Sequence, residues 1–139
     1  MSEADIQAAI VDLVEVFKRP GLIYWHTPNG GKRHIRAAVK FKRQGVRKGV
    51  PDLTFIIPRT EDSNGFALPA FLEVKTTKGR MSPAQKEFRE NCISMGVRHE
   101  VVTNADDAMA ILYEWGALLP VAYKRGQRDE QALDAMVRR

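Results

Sequence analysis

The chain has 139 residues, of which 44% are hydrophobic and 28% charged, and a formal net charge of +5. That length suits one domain with a sizeable core, and the apolar-to-charged balance argues against extended disorder. No apolar run approaches the ~20 residues of a membrane span, and the single cysteine, Cys92, excludes an intrachain disulfide.

The opening Met1-Ser2-Glu3-Ala4-Asp5 is acidic and polar, unlike a secretory signal, so the expected compartment is the cytoplasm. A first helix is expected from about Glu3 to Lys18, with Ser2 as N-cap, Asp5 completing a capping box, and Ile6, Ile10, Leu13, Val14 and Phe17 as its apolar stripe. Pro20-Gly21 ends it. Leu22 to His26 reads as a strand, closed by Thr27-Pro28-Asn29-Gly30-Gly31. His34 to Gln44 is expected to form a short basic helix with Ala37, Ala38 and Phe41 inward and Arg36, Lys40 and Arg43 outward. Asp52 to Ile57 is a strand between Pro51 and Pro58, and a polar loop, Arg59 to Gly65, leads to a third strand containing Phe71-Leu72-Glu73-Val74-Lys75. Ser82-Pro83 opens a helix that Gly96 stops. Val97 to Val102 is a strand, and Asn104 caps a helix to about Trp115. The order predicts an α/β fold, a mixed central sheet flanked by helices. One domain is expected over 1–119, followed by a charged extension over 120–139 that is either helical or frayed.

Every charged residue between Glu15 and Asp52 is basic: Lys18, Arg19, Lys32, Arg33, Arg36, Lys40, Lys42, Arg43, Arg47 and Lys48. One-signed clustering is the pattern of a phosphate footprint, while a solvated basic face with no partner is the plainer alternative.

On the third strand, Glu73 and Lys75 share a face, and Leu72 and Val74 take the other. A carboxylate and an ammonium inside a strand built for burial need a reason. Asp52 opens the neighbouring strand, so the two carboxylates can converge. Paired with a backbone carbonyl and waters they suit Mg²⁺ or Mn²⁺, with Lys75 within reach of a metal-bound water or a phosphate. A lone Glu-x-Lys is usually just a pair of exposed charges, and Pro-Asp often only opens a turn; the combination carries the signal.

The combination resembles the PD-(D/E)xK nuclease superfamily, with Pro51-Asp52 and Glu73-Val74-Lys75 as its signature. Within it, Asn29-Gly30, Arg47-Lys48-Gly49-Val50-Pro51-Asp52, the Glu-x-Lys strand and Ser82-Pro83-Ala84-Gln85 are similar to the VRR-NUC family, the virus-type replication-repair nucleases. The resemblance implies a restriction-endonuclease-like core. It further implies that Asp52 and Glu73 bind the metal, that Val74 lends its carbonyl, that Lys75 handles the water and that Gln85 points into the site. A glutamate on the first helix is also implied. At roughly 100° per residue Glu3 lies near the apolar stripe and Glu15 almost opposite, which favours Glu3 as ligand and catalytic residue, with Gln7 beside it.

The activity implied is metal-dependent, structure-selective cleavage of DNA, in the manner of homodimeric Holliday-junction resolvases, within a bacterial or phage-infected cell. Asn29, Lys32, Arg33, Arg36, Lys40, Arg43, Arg47, Lys48 and Lys78 are the expected nucleic-acid contacts. A flap, nick or end-processing nuclease is the alternative within the same chemistry, and a non-catalytic binding module of the same fold the alternative outside it. His26, His34 and His99 lack zinc-ligand spacing, so no zinc site is expected. His26 is expected to pack within its strand, and one of Tyr24 and Trp25 to enter the core.

Overall fold

The computed structural model describes residues 1–28, 35–59 and 61–119. In chain order they form α1 (Glu3–Phe17), β1 (Ile23–His26), α2 (Ile35–Arg43), β2 (Leu53–Ile57), a 3₁₀ turn (Glu61–Ser63), β3 (Leu68–Val74), α3 (Pro83–Met95), β4 (Arg98–Val102) and α4 (Ala105–Glu114). Asn29-Gly30, Lys32, Arg33, His34 and the segment 120–139 lie outside the described residues.

The strands form one sheet in the order β1-β2-β3-β4. β2 runs antiparallel to both β1 and β3, and β4 runs parallel to β3. A parallel neighbour cannot be reached through a tight turn, and α3 supplies the crossover. On one sheet face Leu53, Phe55, Ala70, Leu72, Val74 and Val102 meet Ile6, Ile10, Val14 and Phe17 of α1 and Ala108, Met109 and Leu112 of α4 in a single core. α1 and α4 also pack on each other. The opposite face is covered at its β4 side by α3, where the Phe88 ring meets Phe71 edge-on at 5.1 Å.

Local sequence sets the helix limits. Ser2 and Asp5 form a reciprocal capping box at the start of α1, and Ser82 and Gln85 do the same for α3. Gly96 ends α3 in the left-handed region at φ 75°, where a side chain would be strained.

The second helix departs from expectation. α2 forms over nearly the predicted span but contributes no buried residue: Ala38 and Phe41 are exposed and Ala37 only half-buried. The nine-residue helix is dense in lysine and arginine, and its larger apolar side chains, Ile35, Val39 and Phe41, stay exposed along with them. Among the described residues no helix is long and apolar enough to cross a membrane.

Candidate active site

The antiparallel register of β2 and β3 pairs Leu53 with Leu72, so Asp52, one residue before β2, lies opposite Glu73. Since Leu53 and Leu72 face the core, Asp52 and Glu73 face the other side of the sheet. Asp52 is held at both ends. Its Oδ2 accepts a hydrogen bond of 2.7 Å from the Val74 backbone N–H. Its carbonyl accepts from the Thr27 N–H at 3.0 Å and from His26 Nδ1 at 2.7 Å. His26 is exposed rather than packed in its strand, because its ring turns to this carbonyl. That role was not visible in the sequence: 26 residues separate the partners, and only the β1–β2 pairing joins them.

Glu73 is 2% exposed. Its Oε1 accepts from Gln85 Nε2 at 2.9 Å, while Gln85 Oε1 accepts from the Ser82 N–H at 2.8 Å. One amide thus caps α3 and steers the buried carboxylate. Lys75 Nζ lies 3.7 Å from Glu73 Oε1 and 4.0 Å from Glu3 Oε1, linking the strand to the first turn of α1. Glu15 is elsewhere, taken by Lys18 and by the Tyr24 hydroxyl, which donates to it.

The loop before Asp52 owes its path to Gly49. At φ +80° it approaches the first turn of α3 so closely that a Cβ would stand 2.3 Å from the Ala84 carbonyl oxygen and 2.8 Å from the Gln85 nitrogen. No alanine could follow this path without displacing the helix start.

Burial, followed by repulsion from Asp52 and a proton shared with its carboxyl, pushes the Glu73 pKa up to about 8, against the opposing pull of Lys75. Glu73 Oε2 is buried and finds no hydrogen-bond donor. A buried carboxylate oxygen without a donor is costly, so the site calls for a proton or a cation there. Asp52 and Glu73 are hard oxygen donors at adjacent positions, which fits a divalent cation of the Mg²⁺ or Mn²⁺ kind. Among the described residues no group of three or more His, Cys, Asp and Glu side chains could hold a metal. A cation held by this pair would need its remaining positions filled by backbone, water and substrate, as is usual for Mg²⁺. Glu3 meets the site through Lys75.

The expected nucleic-acid contacts divide. Arg36, Lys40 and Arg43 line a shallow concavity on α2 with Val39 and Gln44. Arg47 lies 5.5 Å over the Phe88 ring, and Lys48 and Lys78 are exposed. Asn29, Lys32 and Arg33 fall outside the described residues. Of the paired aromatics, Tyr24 stacks on Phe55 at 5.7 Å, partly buried against the core, whereas Trp25 remains 45% exposed on the opposite face.

The sequence profile of the family described as "VRR-NUC domain" matches residues 1–106. A solved structure titled "VRR_NUC domain protein" is 25% identical with a TM-score of 0.66, covering 85% of this chain and 90% of that one. A second, titled "VRR_NUC domain", shares the fold at 22% identity and a TM-score of 0.50, covering 81% of this chain and 94% of its own. No curated protein matches.

Proposed function

The chain belongs to the VRR-NUC domain family and carries a nuclease-type domain, and from that premise we propose that it is a divalent-metal-dependent endonuclease selective for branched DNA, cutting four-way junctions as a homodimer. The nuclease unit would span 1–119, with 120–139 as an extension. The observation that carries the reading is the Glu73 Oε2 atom, buried beside Asp52 with no donor and with a lysine ammonium on the carboxylate's other oxygen.

Asp52 and Glu73 would hold Mg²⁺ or Mn²⁺, with Val74 as the backbone neighbour; the cation when bound supplies polarisation of a phosphate and an acidified water. Gln85 fixes Glu73 Oε1, leaving the buried Oε2 as the oxygen without a donor. Lys75, held between Glu73 and Glu3, would orient the water and offset charge developing on the phosphate. Water adds to phosphorus, the bond to one bridging oxygen breaks, and that oxygen leaves with a proton. Arg36, Lys40, Arg43, Arg47, Lys48 and Lys78, joined by Asn29, Lys32 and Arg33, would position the backbone without reading bases.

The test is cleavage of a synthetic four-way junction and a linear duplex of matching sequence, each with Mg²⁺, Mn²⁺ or EDTA. Paired, metal-dependent cuts in the junction alone are expected, and Asp52→Asn or Glu73→Gln should abolish them while DNA binding persists. Cutting by either variant at the wild-type rate would remove the carboxylates from the reaction. Equal cutting of both substrates would keep the nuclease and discard junction selectivity, and cuts confined to flaps or nicks would establish an end-processing enzyme. Binding without cuts under any metal would indicate a non-catalytic module.

A further inference from the structure

Trp25 is an exposed aromatic on the same sheet face as the carboxylate pair. The strand registers place it in one cross-strand row with Thr54, Phe71 and His99. The adjacent row on that face holds Asp52 and Glu73. From strand spacing and rise, the Trp25 and Asp52 Cα atoms are about 8 Å apart. That separation is two to three nucleotides at the ~3.4 Å rise of a DNA strand. α3 covers this face over β4 and β3. At β1 it stays open: Trp25 is 45% exposed and Ile23 59%, with Ile56 half-buried between the strands.

We propose that Trp25, backed by Ile23 and Ile56, is a stacking platform for an unpaired nucleobase flanking the scissile phosphate. The inference rests on the endonuclease reading above and adds to it a preference for sites where base pairing is broken. Bases inside a duplex present only their edges, so a flat side chain beside the cut site engages a base only where pairing is broken. Stacking is tolerant of sequence because every base offers a π-face, which suits basic residues that position the backbone without reading bases. The net charge of +5 favours a polyanion as the occupant. Two exposed apolar side chains on a four-residue strand are also far short of the ~800 Å² per partner of a stable dimer interface.

The experiment measures binding in EDTA of three probes: a single-stranded oligonucleotide, a duplex with a single-stranded flap, and a blunt duplex. Wild type, Trp25→Ala and Trp25→Phe are compared by affinity and tryptophan emission, with circular dichroism on each. The flap and single strand should quench wild-type emission, and the quench should vanish in Trp25→Phe, which retains Trp115. Trp25→Ala should bind the flap about tenfold more weakly, Trp25→Phe should recover most of that loss, and blunt-duplex affinity should move less than twofold. Absence of the quench, or a folded Trp25→Ala with wild-type affinity for the flap, overturns the platform. So does a dimer that becomes monomeric in Trp25→Ala, which would make the patch an interface between copies. The quench is read on wild-type protein and decides the matter even if Trp25→Ala fails to fold. Quenching without cleavage under Mg²⁺ or Mn²⁺ would sink the nuclease reading alone, and cleavage without quenching the platform alone.

Discussion

Glu73 and His99 are both buried polar side chains on the α3 side of the sheet, and their surroundings set them to different tasks. Glu73 sits next to Asp52, is raised toward neutrality and has an oxygen with no donor. His99 is 4% exposed among the Phe71 and Phe88 rings, with Nδ1 3.1 Å from Arg89 Nη1. A guanidinium only donates, so Nδ1 accepts and the ring is neutral with its proton on Nε2. Burial, then the Arg89 charge, pulls its pKa down to about 4 from the ordinary 6.5. Between those values the folded protein binds fewer protons than the unfolded chain. The stabilisation from a neutral His99 is therefore complete above pH 6.5 and lost as pH falls toward 4. His99→Phe, in which Arg89 keeps the His99 backbone carbonyl as its acceptor, should remove that dependence. Urea denaturation at pH 7.5 and 4.5 should show wild type losing on the order of 2 kcal/mol more than the variant; equal losses would mean that the ring accepts its proton at no cost.

Among the elements, α3 couples most closely to the site. Its first turn carries Gln85, and the Gly49 backbone lies against that turn. Gly49→Ala combines a positive φ with a Cβ 2.3 Å from a carbonyl oxygen, so either the loop or the helix start must move. A loss of about 1–3 kcal/mol is expected, visible as a lower melting temperature. Cleavage should fall further than stability explains at a temperature where the variant is fully folded, because Gln85 leaves Glu73. Wild-type cleavage in the folded variant would show that the loop yields instead. The capping box and the glycine stop of α3 were legible in Ser82-Pro83-Ala84-Gln85 and Gly96, since capping is a local matter. The exposure of α2 was not, because its apolar spacing said which side could turn inward and nothing about whether a surface waited there.

At the scale of the molecule, the fold separates an apolar core between the sheet and the helices α1 and α4 from an opposite face carrying the carboxylates, with the basic α2 standing outside the buried core. If α2 and the loop after it follow the DNA backbone, Arg43→Glu with Lys48→Glu should weaken binding to every sequence alike. The slope of log affinity against log salt should become shallower by about 0.9 for each phosphate that is no longer neutralised. An unchanged slope would take these residues out of the footprint.

By itself the sequence determined the number, order and kind of elements, the capped helix ends, and the pair Asp52 and Glu73 with Lys75. Those features are written in periodicity, turn residues and the placing of charge in an apolar strand, all of which act over a few neighbours. Helix geometry already favoured Glu3 over Glu15, but only the tertiary structure brought Glu3 to Lys75 and decided that His26 turns to the Asp52 carbonyl, that Tyr24 packs against the core, and that Trp25 stays open on the face of the acids. Each of these depends on which strand lies beside which and on which face a helix covers. That order is settled by burying apolar area across the whole chain, a sum over distant pairings that no local stretch of sequence contains.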